Sequence, residues 1–120
     1  NYYLLTLKDK VGAANLLPEQ NSVAWKDLDV AILDNLILDQ LLGIGEAERR
    51  NQENLAYSRD EEWVKDKIDV GQYQLGFFIN PTRVKEIVDV AEARDKMPQK
   101  STYFYPKLIT GLIINNLAIK

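Results

Sequence analysis

Apolar side chains recur in two rhythms along this chain, one of period two and one of three to four. Residues 2–7, Tyr2-Tyr3-Leu4-Leu5-Thr6-Leu7, are apolar and β-favouring, which predicts a strand ended by Lys8-Asp9-Lys10. Residues 11–17 predict a short helix stopped by Pro18, and Glu19-Gln20-Asn21-Ser22 a polar turn. From residue 28 to residue 42, apolar positions recur at Ala31, Ile32, Ile37, Leu38, Leu41 and Leu42, with Leu28, Leu33 and Leu36 between them. That arc is broad for a surface helix, so a largely buried helix is expected, capped by Asp27 or Asp29 and ended by Gly43 and Gly45. Trp25, on its approach, is expected to anchor the core.

Residues 45–54 read as a charged connection containing Arg49-Arg50, and residues 54–57 as a short strand. Ser58-Arg59-Asp60-Glu61 fits a capping box opening a helix over 60–70, with Trp63, Val64 and Ile68 inward and Gly71 as a left-handed stop. Residues 73–79 alternate, Tyr73, Leu75, Phe77 and Ile79 facing one way, and predict a strand. Asn80-Pro81 predicts the start of a further helix, with Val84, Ile87, Val88 and Ala91 as its inward stripe. Residues 101–105 and 108–114 read as two more strands. The expected fold is α/β (α+β), a two-layer mixed sheet of about five strands with about three helices packed against it, in one domain over residues 1–120.

Composition narrows the chemistry. The 120 residues contain no cysteine and no histidine, which excludes disulfides, thiolate metal sites, thiol nucleophiles, Ser-His-Asp triads and the usual near-neutral proton shuttle. No apolar run reaches the roughly 18–20 residues of a membrane span, and no signal-peptide pattern is present, so a cytoplasmic protein without membrane contact is expected. The chain opens on Asn1, inside an apparent strand, which suggests a piece of a longer protein. Of the net charge of -3, Lys96, Lys100, Lys107 and Lys120 give the stretch after Asp95 +4 and leave -7 for residues 1–95. An acid-free tail of this kind suits an anion-facing side or simply a solvated surface.

The densest chemistry lies in residues 97–107, where Lys100, Ser101, Thr102, Tyr103, Tyr105 and Lys107 stand close together. Their ammonium and hydroxyl groups suit a phosphate or carboxylate, and their rings suit stacking. The same pattern equally describes an edge strand with core aromatics and lysines that deter edge pairing. Asn80, Thr82 and Arg83, between a strand and a helix, could receive an anion or simply cap that helix. Arg49-Arg50 could contact a nucleic-acid backbone, but two arginines in an acidic surrounding read as a solvated turn, so no nucleic-acid partner is expected. Gly43-Ile44-Gly45 lacks the Lys and Ser/Thr of a phosphate loop. Asp27, Asp29, Asp34 and Asp39 lack metal-ligand spacing, and no cofactor is implied.

Several segments together resemble one family. They are Asn1-Tyr2-Tyr3-Leu4-Leu5-Thr6-Leu7-Lys8-Asp9, Leu28-Asp29-Val30-Ala31-Ile32-Leu33, Glu53-Asn54-Leu55-Ala56-Tyr57, and Met97-Pro98-Gln99-Lys100-Ser101-Thr102-Tyr103-Phe104-Tyr105-Pro106-Lys107. In this order they resemble the carboxyl-terminal part of domain-of-unknown-function family 1015, sometimes described as SpoOJ/ParB-like. The resemblance implies a longer protein, roughly three times this length, whose ParB-like, histidine-containing segment lies upstream. It assigns no catalytic residue to this chain. Gly45-Glu46-Ala47-Glu48-Arg49-Arg50 departs from the ParB Gly-Glu-Arg-Arg box, so nucleotide binding does not carry over. The expected role is an accessory domain that binds a small anionic ligand or docks on the upstream domain of the same protein. A homo-oligomerisation module is a second reading. A third is an enzyme half-site in which Lys100, Tyr103 or Tyr105 acts with a carboxylate, which would require a lowered lysine or tyrosine pKa.

Overall fold

The computed structural model describes residues 1–102. Among them the regular structure is helical throughout, in the order α1 (Lys10–Leu16), α2 (Val23–Lys26), α3 (Asp29–Ile32), a π-helix (Leu33–Leu41), α4 (Glu46–Asn51), α5 (Glu61–Asp69) and α6 (Val84–Glu92). The expected α/β sheet is therefore corrected. Residues 2–7, 54–57 and 73–79 form no strand, nor do Ser101 and Thr102, while the rest of 101–105 and all of 108–114 lie outside the described residues. β-favouring side chains form a strand only where a neighbouring strand completes the ladder, and these segments have no such neighbour among the described residues.

The helix starts have local causes. The Asp9 carboxylate accepts the Gly12 N–H at 2.9 Å and opens α1. The Ser22 hydroxyl accepts the Trp25 N–H at 3.2 Å, which turns the expected polar turn into the cap of the one-turn helix α2. Asp60, not the expected Ser58–Glu61 box, caps α5 by accepting the Trp63 N–H at 3.2 Å. Ser58 instead accepts the Asp60 N–H at 3.0 Å. Neither Asp27 nor Asp29 caps α3, whose N-cap position is Leu28 and which has no side-chain cap. Helix α5 ends as expected at Gly71, whose φ is +75°. There the Gly71 N–H bonds the Ile68 carbonyl and the Gln72 N–H bonds the Lys67 carbonyl, both at 2.9 Å, the two bonds of a Schellman end.

The alternation of residues 73–79 has another origin than a sheet. The segment lies against α5, where a Cβ on Gly76 would fall 2.6 Å from Ile68 Cδ1 and 2.9 Å from Val64 Cγ1. Trp63 and Tyr73 rings meet at 6.4 Å, and the Lys67 ammonium stands 5.7 Å from the Trp63 ring centre. Tyr73 and Phe77 are half-buried, whereas Leu75 and Ile79, expected on the same face, are exposed.

The core is small. Trp25, Leu28, Val30, Ala31 and Val90 form one buried cluster, with Ala24 and Met97 packed against it. Trp25 is the anchor that its position suggested. Helix α6 reaches the cluster through Val90, while Val84 and Val88, expected inward, are exposed. The 28–42 region is only partly buried, since Leu38 is inside and Leu41 and Leu42 are outside. No helix among the described residues is long and apolar enough to cross a membrane.

Candidate functional site

A cleft of about 280 Å³ lies where Lys10 of α1, the α2–α3 junction and the approach to α6 meet. Asn80, Thr82 and Arg83, three of the residues expected to hold an anion, line it. The backbone there is set by side-chain commitments. Pro81 disfavours helical geometry at Asn80. The Asn80 amide donates to the Asp29 carboxylate at 2.9 Å, and Thr82 Oγ1 donates to the Ser101 carbonyl at 3.0 Å. These long-range ties hold residues 80–83 out of the helix, so α6 begins at Val84 rather than at Pro81, with Arg83 as its N-cap. The Arg83 N–H is itself taken by the Glu86 carboxylate at 2.6 Å.

The Thr82–Ser101 bond brings the two expected anion-binding segments together. Ser101 also donates through Oγ to the Pro98 carbonyl at 2.6 Å, and Lys100 is an exposed residue in left-handed geometry, at φ +61°. Thr102 is half-buried. Tyr103, Tyr105 and Lys107 lie outside the described residues. Against the cations Lys10 and Arg83, the cleft carries the carboxylates of Asp27, Asp29 and Glu86. Lys10 stands 3.9 Å from Asp27, an exposed and solvent-screened pair.

A second constellation surrounds Arg49 and was missed in the sequence, where Arg49-Arg50 read as a solvated turn. The structure splits the pair. Arg50 turns outward to Glu46 at 2.7 Å, while Arg49 turns inward and donates through Nη1 to the Ile44 carbonyl at 2.7 Å and the Asp34 carbonyl at 3.0 Å. The signal was present in the four-residue spacing of Glu46 and Arg50, which favours a helix and places Arg49 on a different bearing. Burial raises the pKa of the Asp34 carboxyl, and the Arg49 charge partly offsets that. Burial also raises the Tyr57 hydroxyl, reinforced by the charge of Asp34 and opposed by that of Arg49.

Asp95 forms the third polar centre. Its carboxylate accepts the Ser22 N–H at 2.8 Å, the Asn21 amide at 3.2 and 3.3 Å, and the Lys96 N–H at 2.8 Å. The Ser22 bond is the chief cause that lowers its pKa. This ties the chain after α6 to the start of α2. No group of three or more acidic side chains among the described residues could hold a metal ion. No family model, curated protein or solved structure matches the chain.

Proposed function

We propose that this chain is a non-catalytic docking module whose amino-terminal segment seats on the preceding part of its own, longer protein in the cytoplasm. One observation carries the reading. Residues 2–7 belong to no helix or strand and stand open to solvent, with Tyr2 at 81%, Tyr3 at 82% and Leu4 at 92% exposure, and Leu5 and Leu7 also exposed. Soluble proteins rarely expose a contiguous run of large apolar side chains without a partner surface. The resemblance to domain-of-unknown-function family 1015 supplies the partner, because members of that family carry a further segment upstream.

The test is backbone amide exchange over residues 2–7, compared between the 120-residue chain and the full-length protein. Strong protection in the full-length protein and rapid exchange in the shorter chain are expected. Rapid exchange in both would overturn docking on the preceding segment. Protection of the isolated chain that grows with its concentration would assign the surface to a second copy instead.

A further inference from the structure

The π-helix is unusual in its length, because five-residue hydrogen bonding normally persists for a single turn. Here it covers nine residues, Leu33–Leu41. Its carboxyl end shows how the register is closed. The Leu42 N–H bonds the Ile37 carbonyl, five residues back, at 3.0 Å, and the Gly43 N–H bonds the Asp39 carbonyl, four back, at 3.0 Å. That step skips the Leu38 carbonyl, which receives the Ile44 N–H at 2.7 Å. Gly43, at φ +70°, makes the turn that aims the Ile44 N–H back. The Ile44 carbonyl then accepts from Arg49 Nη1, and the same nitrogen reaches the Asp34 carbonyl near the start of the π-helix.

One guanidinium nitrogen thus joins the early turn of the helix to the residue that closes it. We infer that Arg49 is a positioning latch that selects the five-residue register of the Leu33–Leu41 helix over the ordinary four-residue one. Without the latch, the Leu42 N–H falls back on the Leu38 carbonyl, Ile44 loses its acceptor, and the helix end re-forms. Leu41 and Leu42, both exposed, lie on the stretch that rotates. Arg49 therefore decides which way this leucine pair faces. The inference is independent of the docking reading, since it concerns one helix and its own hydrogen bonds.

Scalar couplings across hydrogen bonds test it directly, because they name the carbonyl that each amide bonds. The wild-type protein is expected to show coupling from Leu42 N to the Ile37 carbonyl carbon. Arg49→Met is expected to replace it with coupling to Leu38. Arg49→Lys, which also offers one nitrogen with several donors, is expected to restore the Ile37 coupling. Arg50→Met, altering only the exposed pair with Glu46, is expected to leave it unchanged. Retention of the Ile37 coupling in Arg49→Met, or its absence from the wild type, overturns the inference. Should Arg49→Met fail to fold, Arg49→Gln is read in its place. Global unfolding of both would show that Arg49 supports the whole fold rather than one register, and would equally overturn it.

Discussion

Replacing Asp95 by alanine removes the acceptor that ties the start of α2 to the chain after α6. The Ser22 N–H and the Asn21 amide, both part-buried, lose a charged partner at 2.8 and at 3.2–3.3 Å. The Lys96 N–H, which is exposed, exchanges its bond for water. A hydrogen bond to a charged group contributes about 1.5–3 kcal/mol, and partial access of water reduces that, so a loss of about 2 kcal/mol is expected. For a chain of this size that corresponds to a fall in Tm of roughly 6–10 °C. The sign with pH follows from the lowered pKa of Asp95. In its ordinary range the unfolded state binds more protons than the folded one. The contribution is therefore present above the ordinary carboxylate pKa and is lost as pH falls through the lower, folded value. Urea unfolding followed by the fluorescence of Trp25 and Trp63 measures both quantities. Asp95→Asn, which keeps one carbonyl acceptor, is expected to fall between wild type and Asp95→Ala. An Asp95→Ala protein within about 0.5 kcal/mol of wild type at neutral pH would refute the argument. So would a difference that persists unchanged well below the folded pKa.

Three further perturbations probe separate parts of the molecule. Val90→Ala leaves a cavity beneath Trp25 and Leu28, at a position with no exposure, and is expected to cost about 2 kcal/mol in the same urea assay. Gly71→Ala places a Cβ in left-handed geometry at φ +75° and is expected to cost roughly 1–2 kcal/mol, with fraying at the end of α5 visible as faster amide exchange at Gln72. Asp34→Asn acts in the opposite direction. Because burial raises the Asp34 pKa, the folded state holds its proton more tightly, and wild-type stability falls as pH rises from the ordinary carboxylate value through the folded one. The asparagine variant is thus expected to be the more stable at neutral pH and to lose that advantage in acid. An unchanged gap between the two from acid to neutral pH would refute it.

Helices were legible where a breaker or a cap sits beside them. Pro18 and Gly71 mark ends that the structure places within a residue or two, for α1 and α5. Helix α4 escaped notice because Glu46–Asn51 has little apolar periodicity, and the Glu46–Arg50 spacing is the trace it leaves. The strands misled for a physical reason. Tyr, Phe, Ile and Leu in alternation report a surface that suits flat packing, and at 73–79 the surface packed against is a helix that approaches Gly76. The start of α6 moved from Pro81 to Val84 because Asn80 and Thr82 bond Asp29 and Ser101, residues far away in sequence. Of the anion-binding residues expected, Asn80, Thr82 and Arg83 do share one cleft, but the company of Asp27, Asp29 and Glu86 was not visible along the chain.

By itself the sequence determined what chemistry this chain lacks, because the absence of every thiol and imidazole is a property of composition. It also determined local stops and turns, since a proline ring or a left-handed glycine constrains its own backbone wherever it stands. Tertiary structure alone decided which polar groups meet. Arg49 turns inward to two carbonyls while Arg50 stays in water, and Asp95 closes on Ser22, 73 positions away in sequence. Such pairings depend on where separate helices come to rest, and neighbouring residues carry no record of that.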